Sequence, residues 1–233
     1  WIVLDTETTS VSPRWAQIVG LSFAWKEKEA WYVPTQTPPG EIQLPLSDVL
    51  EILRPVFTQP TPRKIGQNIK YDCVVLRSAG IELQGIAFDT MVADYLLDPG
   101  ERSHGIDELA KKYLAHQTIK ISELIGTGKK QKRMDEVPVA QVTPYAAEDA
   151  DVPFRLKPIL ESRLQEVGLE DLFHSLEMPL IEVLSELEFN GIKVDPERLR
   201  ELSHRFGEQI ERIQTEIFAL AGKEFNIDSR QQL

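Results

Sequence analysis

Short apolar runs separated by polar turns fill residues 1–90, a pattern typical of strands that alternate with helices. Three consecutive strands are predicted first, over residues 1–5, 17–25 and 29–34. The last two form a hairpin across Lys26 to Glu29, and edge-to-edge pairing places the first strand in the same sheet. Because a helix over 47–57 and a short strand over 63–66 follow, the pattern predicts an α/β domain.

The C-terminal part of the chain has the apolar spacing of helices alone. The pattern predicts one helix over 175–190 that Gly191 ends, and a longer one that Asp195 opens and Gly222 closes. Apolar side chains recur along the longer helix at intervals of three and four residues, as Leu199, Leu202, Phe206, Ile210, Ile213, Ile217 and Leu220. That stripe is wide enough to pack against another helix, so we expect a two-helix hairpin that needs a partner.

Two pairs of polar residues stand in settings that orient them. Asp5 and Glu7 follow the first apolar run, and residues two apart on a strand point to the same side of the sheet. Both carboxylates can therefore reach one cation. Asn68 is placed to open a helix, and Asp72 falls one turn later.

A third polar segment predicts a helix that carries Tyr145 and Asp149. Thr143 is a candidate N-cap and Pro144 a candidate first helical residue. The spacing of four residues puts Tyr145 and Asp149 on one face of that helix. Pro153 clashes with the carbonyl group four residues before it, so we expect a kink beside Asp149.

Carboxylates grouped in this way suit a two-metal nuclease site. Two hard cations roughly 3.5 to 4 Å apart can supply a hydroxide, polarise a phosphodiester and stabilise the leaving oxygen. Magnesium and manganese prefer oxygen ligands, whereas metal-free carboxylates would repel one another and a phosphate. A tyrosine hydroxyl, which is neutral at pH 7, can orient the attacking water.

Each local pattern also has an ordinary structural explanation. In a chain with 37 acidic residues, Asp-x-Glu also fits a solvated strand end. Asn-x-x-x-Asp also fits a helix cap followed by a surface charge, and a Tyr and an Asp at helical spacing also fit a core ring beside a solvated acid. The order and the settings of the three segments together favour the nuclease interpretation.

Four segments resemble the three exonuclease motifs of bacterial family A DNA polymerases, the polymerase I type. They are Asp5-Thr-Glu-Thr8, Gly66-Gln-Asn-Ile-Lys-Tyr-Asp72, Ile86-Ala-Phe-Asp-Thr-Met91 and Tyr145-Ala-Ala-Glu-Asp149-Ala-Asp151. The segment from Ser175 to Leu180, continued by Glu186 to Asp195, resembles the link between that exonuclease and the polymerase thumb. The resemblance implies a ribonuclease H-like mixed sheet flanked by helices, the DEDD exonuclease fold of the tyrosine subtype, over residues 1–172. It implies the helical start of the thumb over residues 173–233.

The same resemblance implies a 3′→5′ proofreading exonuclease that acts on single-stranded or frayed DNA 3′ ends. The implied ligands of two Mg²⁺ ions, for which Mn²⁺ can substitute, are Asp5, Glu7, Asp72 and Asp149. Tyr145 is implied to contact the attacking water. The expected DNA contacts are Thr6, Val11, Gln67, Asn68, Lys129 and Lys130.

Two of these contacts have alternatives. The family often places a larger apolar side chain near Val11 to wedge the terminal bases, so a valine puts the wedge in doubt. Trp15 could replace it or could belong to the core. The densest basic run, residues 126–133, fits either a DNA-contacting loop or a solvated surface tether.

Composition limits which partners and which cellular location the protein can have. The net charge of −11 is unusual for a DNA-binding protein, but four of the acids would be neutralised by metal. The single Cys73 excludes an internal disulfide and is expected to be buried. No apolar run approaches membrane-spanning length, so we expect no membrane partner and a cytoplasmic, nucleoid-associated setting. Because the chain begins inside a strand at Trp1, we expect a piece of a longer protein that also supplies the palm and fingers.

Three functions are consistent with these observations. The first is an active proofreading exonuclease within a family A DNA polymerase, in a chain that should not itself extend a primer. The second is a catalytically silent domain that braces the polymerase, which the intact carboxylates disfavour. The third is a stand-alone exonuclease that trims RNA, which the thumb-like tail disfavours, although the sequence does not reveal a preference for deoxyribose.

Overall fold

A computed structural model describes residues 1–232, in which five strands form one mixed sheet. The strands are β1 (Ile2–Thr8), β2 (Ile18–Lys26), β3 (Glu29–Pro34), β4 (Lys64–Gly66) and β5 (Ile86–Asp89). Their order is β3-β2-β1-β4-β5, with antiparallel pairing from β3 to β1 and parallel pairing from β1 to β5. The predicted hairpin is present, and β1 lies at the centre of the sheet.

Helices flank this sheet and continue beyond it. They are α1 (Leu46–Thr58), α2 (Ile69–Ser78), α3 (Thr90–Leu97), α4 (Ile106–Leu114), α5 (Ile121–Ile125), α6 (Val139–Glu166), α7 (Glu170–Leu172), α8 (Met178–Asn190) and α9 (Pro196–Ala221). Two 3-10 turns lie at Gly128–Lys130 and Met134–Glu136, and a π-helical turn spans Phe173–Glu177.

The central strand β1 is longer than the apolar run that predicted it. The prediction ended at Asp5, but the strand continues to Thr8. Asp5 pairs with Ser22 and Glu7 with Gly20 on β2, so neighbouring backbone keeps the polar half of β1 extended. Most of β2 is buried, as a strand covered on both faces should be. The two carboxylates therefore project from the central strand, beyond the residues of β1 that pair with β4.

The long helix α6 starts earlier than predicted. Thr143 and Pro144 were expected at its N-terminus, but the helix begins at Val139, and the Thr143 hydroxyl donates to the Val139 carbonyl inside it. Pro144 is tolerated there because the carbonyl that loses its amide partner belongs to Ala140, on the exposed face. The helix also continues through Pro153, and the kink expected beside Asp149 stays a prediction.

Helix α2 begins at the predicted N-cap residue, but a side chain distant in the sequence supplies the capping hydrogen bond. Asn68 is the N-cap residue as predicted, with a left-handed backbone (φ 58°) that asparagine tolerates well. Its side chain makes no cap hydrogen bond. Instead, the Ile69 amide donates to Asp89 Oδ2 at 2.7 Å, and the Val92 amide of α3 donates to Asp89 Oδ1 at 3.0 Å. One buried carboxylate at the end of β5 thus caps two helices.

The described chain divides into two compact units, Trp1–Asn190 and Gly191–Leu233. Within the first, α8 packs against α2 and β5, and Cys73 is buried as expected. The second contains α9, which Asp195 caps by accepting from two backbone amides, and no residue of α9 is buried. The functional division expected after residue 172 stays a prediction. Across residues 1–232, no helix is both long and apolar enough to cross a bilayer.

Removing the shared cap should destabilise the fold strongly. Asp89→Ala leaves two helix-terminal amides without a buried acceptor, so we expect a loss of about 2 to 4 kcal/mol in the free energy of unfolding. Urea unfolding followed by tryptophan fluorescence measures it. The control is Glu123→Ala, which removes an exposed carboxylate that accepts from the Lys120 amide at the start of α5 and should cost only about 1 kcal/mol. Equal losses in the two variants would contradict the role of Asp89.

Candidate active site

Three carboxylates from two elements meet above the centre of the sheet. Asp5 and Glu7 project from β1, and Asp149 comes from the middle of α6, which packs across β1 and β2. One oxygen of each residue lies within 4.8 Å of the others. The strand period and the packing of α6 therefore produce the cluster that the sequence predicted from separate segments.

Asp72 approaches the cluster from α2 but lies outside this group of three. It is only 2% exposed, and its Oδ1 accepts hydrogen bonds from the Thr6 amide (3.0 Å) and the Thr6 hydroxyl (2.6 Å). Thr6 stands between Asp5 and Glu7 on β1, so the strand itself holds Asp72 in place. Asp5 and Asp72 line the same cleft, and the charge of Asp5 raises the pKa of Asp72 after the larger effect of burial.

Burial and mutual repulsion make this set unfavourable when all its members are charged. Burial raises the pKa of Asp5 to about 6. Burial also raises the pKa of Glu7 well above its ordinary value, with further increases from the charges of Asp5, Asp149 and Asp72. The pKa of Asp149 rises for the same two reasons, burial first and the charge of Asp5 second. Within residues 1–232, none of these three carboxylates forms an ion pair with a basic side chain that would compensate its charge.

The residues present fit a divalent metal ion. Glu7 Oε1 is buried and has no hydrogen-bond partner, although an isolated buried carboxylate oxygen is costly. An all-oxygen donor set with three negative charges is typical of Mg²⁺ and Mn²⁺ sites. A cation would relieve both the repulsion and the unpaired oxygen. The arrangement can therefore hold a metal ion.

Tyr145 stands one helical turn before Asp149, as its spacing predicted. Its ring packs against a small apolar cluster that includes Val19, Met134 and Val142. Burial first, and then the negative charges of Asp149, Glu7 and Asp5, raise the pKa of Tyr145. The hydroxyl thus keeps its proton beside the carboxylates and can serve as a neutral donor or acceptor.

A cleft of about 710 Å³ opens in front of these side chains. Among the expected DNA contacts, it is lined by Thr6, Val11, Gln67 and Asn68. Val11 is 93% exposed, whereas the Thr6 hydroxyl is already bonded to Asp72. Lys129 and Lys130 do not line the cleft. Trp15, considered for the wedge or the core, is 79% exposed and so does not belong to the core.

The structure adds cleft residues that the sequence did not single out. Lys132 and Arg133 line it in place of Lys129 and Lys130, although all four belong to the same basic run. Arg133 pairs with Asp135, whereas Lys132 forms no ion pair with residues 1–232. Tyr71, Ile121 and Ile125 also line the cleft. The basic run indicated that this segment lies near the cleft, but no local sequence pattern predicted Ile121 as a cleft residue.

Comparison with known proteins agrees with the fold and the cluster. A family model for the 3′–5′ exonuclease of DNA polymerase A matches residues 1–165. DNA polymerase I of Pseudomonas aeruginosa is 43% identical over all of this chain, which covers 26% of that protein. The polymerase domain of Pol1 from M. smegmatis, solved with DNA primer-template and dNTP, superposes with a TM-score of 0.76 and 23% identity. That match covers 99% of this chain and 35% of the other.

A smaller nuclease shares the fold as well. NrnC of Brucella melitensis, solved with bound Mg²⁺, superposes with a TM-score of 0.60 and 20% identity. The match covers 84% of this chain and 88% of NrnC.

The mixed sheet and its acidic cluster define a nuclease of the ribonuclease H-like class. Within that class, the chain belongs to the 3′–5′ exonuclease family of the family A DNA polymerases, as its motifs predicted. It spans about a quarter of the length of the polymerase I relative that it matches.

Neutralising one member of the cluster should stabilise the metal-free chain. Asp149→Asn keeps the shape of the side chain and removes one of three repelling charges, so we expect the melting temperature in chelator to rise by about 3 to 6 °C. The increase that Mg²⁺ produces in the parent chain should be lost. Differential scanning fluorimetry checks both effects. The control is Glu166→Gln, an exposed acid on the same helix, and an equal rise in the control would contradict a local cause.

Proposed function

We propose that this chain removes nucleotides from DNA 3′ ends, as the proofreading part of a longer DNA polymerase I. Asp5, Glu7, Asp72 and Asp149 are the proposed ligands of two Mg²⁺ ions, with Mn²⁺ able to replace them. The observation that carries the proposal is the group of buried and half-buried carboxylates, three of which lie within 4.8 Å of one another. A silent bracing domain would gain nothing from keeping such a repulsive arrangement.

The proposed division of labour follows from where each side chain lies. Bound divalent cations would supply a nucleophile near neutral pH and stabilise the leaving oxygen. Asp5 lies beside Glu7 and Asp149, and it lines the same cleft as Asp72. It is therefore the candidate ligand for both metal ions. Thr6 fixes Asp72 through two hydrogen bonds and so sets its distance from Asp5. Tyr145 keeps its proton and is the candidate for orienting the attacking water.

The cleft suggests how a single strand is held. Val11 and Ile121 are exposed apolar side chains beside the carboxylates, suited to contact with base faces. Lys132 supplies a positive charge at the rim that no acidic residue among those described neutralises in an ion pair. Gln67 is held by the His104 carbonyl and by Thr90, so it presents a fixed amide, whereas Asn68 is exposed. Lys129 and Lys130 remain candidates for contacts farther along the strand.

The wider context is part of the same proposal. Residues 1–172 would form the exonuclease domain, and 173–233 the start of the thumb, with the palm and fingers supplied by the same parent chain. The partner would be a single-stranded or frayed DNA 3′ end, in the bacterial cytoplasm and at the nucleoid. The alternative of an RNA-trimming exonuclease is the reason to test RNA beside DNA.

One assay separates this function from its alternatives. The chain is incubated with Mg²⁺ and 5′-labelled single strands of DNA or RNA of equal sequence, beside copies whose last 3′ linkage is a phosphorothioate. We expect stepwise shortening of DNA from the 3′ end, slowed by the phosphorothioate and stopped by a chelator. Asp149→Ala should lower the rate by at least about a hundredfold, and Glu166→Ala should leave it unchanged.

Each other outcome contradicts the proposal in a different way. An absence of shortening with either metal would indicate a silent domain. A strong preference for RNA would indicate an RNA-trimming enzyme. Shortening that Asp149→Ala leaves intact would show that another site does the chemistry.

A further inference from the structure

Two buried polar atoms without a hydrogen-bond partner belong to the adjacent strands β1 and β2, which carry or border the acidic cluster. Within residues 1–232, the buried side-chain oxygens and nitrogens that lack a hydrogen-bond partner are Glu7 Oε1 and Ser22 Oγ. Glu7 is on β1 and Ser22 on the adjacent strand β2. Buried polar atoms are nearly always paired, so two exceptions on adjacent strands point to a functional requirement.

The strand register aligns Ser22 with Asp5. The two residues are direct partners across the antiparallel pair, so their side chains project from the same face with Cβ atoms about 4.5 to 5.5 Å apart. Ser22 is fully buried. Its hydroxyl lies close enough to lower the pKa of Asp5 slightly, against the larger effect of burial, although it makes no hydrogen bond of ordinary geometry. A small rotation would let it donate to the carboxylate.

Gly20 and Tyr32 form the corresponding wall behind Glu7. Gly20 is the cross-strand partner of Glu7, and a Cβ built on it would lie 2.3 Å from the Tyr32 hydroxyl oxygen. The tyrosine therefore occupies the space that a side chain at position 20 would fill. Burial raises the pKa of Tyr32 and the charge of Glu7 raises it further, so the hydroxyl keeps its proton. The Tyr32 ring also packs against the apolar cluster that supports Tyr145.

We propose that Ser22 and Tyr32 are positioning residues that orient the carboxylates of Asp5 and Glu7 for cation binding. With cations bound, each hydroxyl would donate to the side of a carboxylate that faces the sheet, which would leave the remaining oxygen to face the cleft. Gly20 is required because only the absence of a side chain admits the Tyr32 hydroxyl. The inference rests on the proposed metal-dependent function, which it deepens by naming what aims the ligands.

Hydroxyl groups suit this task better than charged donors would. A lysine or arginine at either position would neutralise a carboxylate and compete with the cation. A neutral hydroxyl fixes the orientation of the carboxylate while leaving its charge in place. Groups that orient metal ligands in this way typically change affinity by about 10- to 100-fold when removed.

The test measures metal binding directly and separately from activity. Ser22→Ala, Tyr32→Phe and the double variant are compared with the parent chain by Mn²⁺ titration, with free Mn²⁺ read by electron paramagnetic resonance. We expect each single variant to weaken the tightest Mn²⁺ site by about tenfold. Ser162→Ala and Tyr95→Phe are the controls, since both lie at exposed positions, and should bind as the parent does.

A second readout separates positioning from a general loss of structure. Ser22→Ala removes a buried hydroxyl that has no partner, so its melting temperature in chelator should equal or exceed that of the parent. Weaker Mn²⁺ binding without lower metal-free stability supports the positioning role, whether or not the parent shortens DNA. Mn²⁺ affinities within twofold of the parent in both single variants overturn the inference, even if the parent is fully active. A melting temperature in chelator that falls in proportion to the lost affinity also overturns it.

Discussion

Asp5, Glu7 and Asp149 bring three carboxylates within 4.8 Å of one another, at buried and half-buried positions where water screens their mutual repulsion less than at an exposed site. That repulsion is the constraint on which the rest of the domain depends. Burial raises the pKa of all three carboxyl groups, and neighbouring negative charge raises the pKa of Glu7 and of Asp149 further. A fold that retains such a cluster must be rigid enough to hold it and must derive its benefit from a bound cation.

The sheet provides the rigidity. β1 pairs with β2 along nearly its whole length and with β4 at Ile2 and Val3, so the backbone that carries the two acidic residues is anchored in the sheet. The strand also holds Asp72 of α2 in place, because the Thr6 amide and hydroxyl both donate to it. Asp89 at the end of β5 caps α2, which carries Asp72. Stability and ligand placement are thus supplied by the same hydrogen bonds.

The periodicity of apolar residues predicted those features of the fold that depend on local sequence alone. The hairpin of β2 and β3, the capped helix α9 and the shared side of Asp5 and Glu7 all follow from spacing and from turn residues. The motifs also identified the family correctly. The predicted N-terminus of α6 was wrong. Pro144 has no amide to pair with the Ala140 carbonyl, but that carbonyl is on the exposed face, where water can supply the hydrogen bond.

Features that depend on distant neighbours could not be predicted. Asp89 and Ile69 are 20 residues apart, and no local rule links a strand end to that cap. Likewise, only the folded chain shows that Lys132 reaches the cleft whereas Lys129 does not. Ser22 looked like an ordinary strand residue until the register placed it against Asp5. The sequence thus carries the chemical groups, and the tertiary structure decides which of them meet.

The most direct measurement of the central claim is the location of bound metal. A crystal of this chain grown with Mn²⁺ and measured near the manganese absorption edge gives anomalous peaks at the metal positions. The account predicts one peak within about 2.0 to 2.4 Å of oxygens from Asp5, Glu7 and Asp149, and a second between Asp5 and Asp72. Peaks elsewhere, or none in this cleft at saturating Mn²⁺, would contradict it.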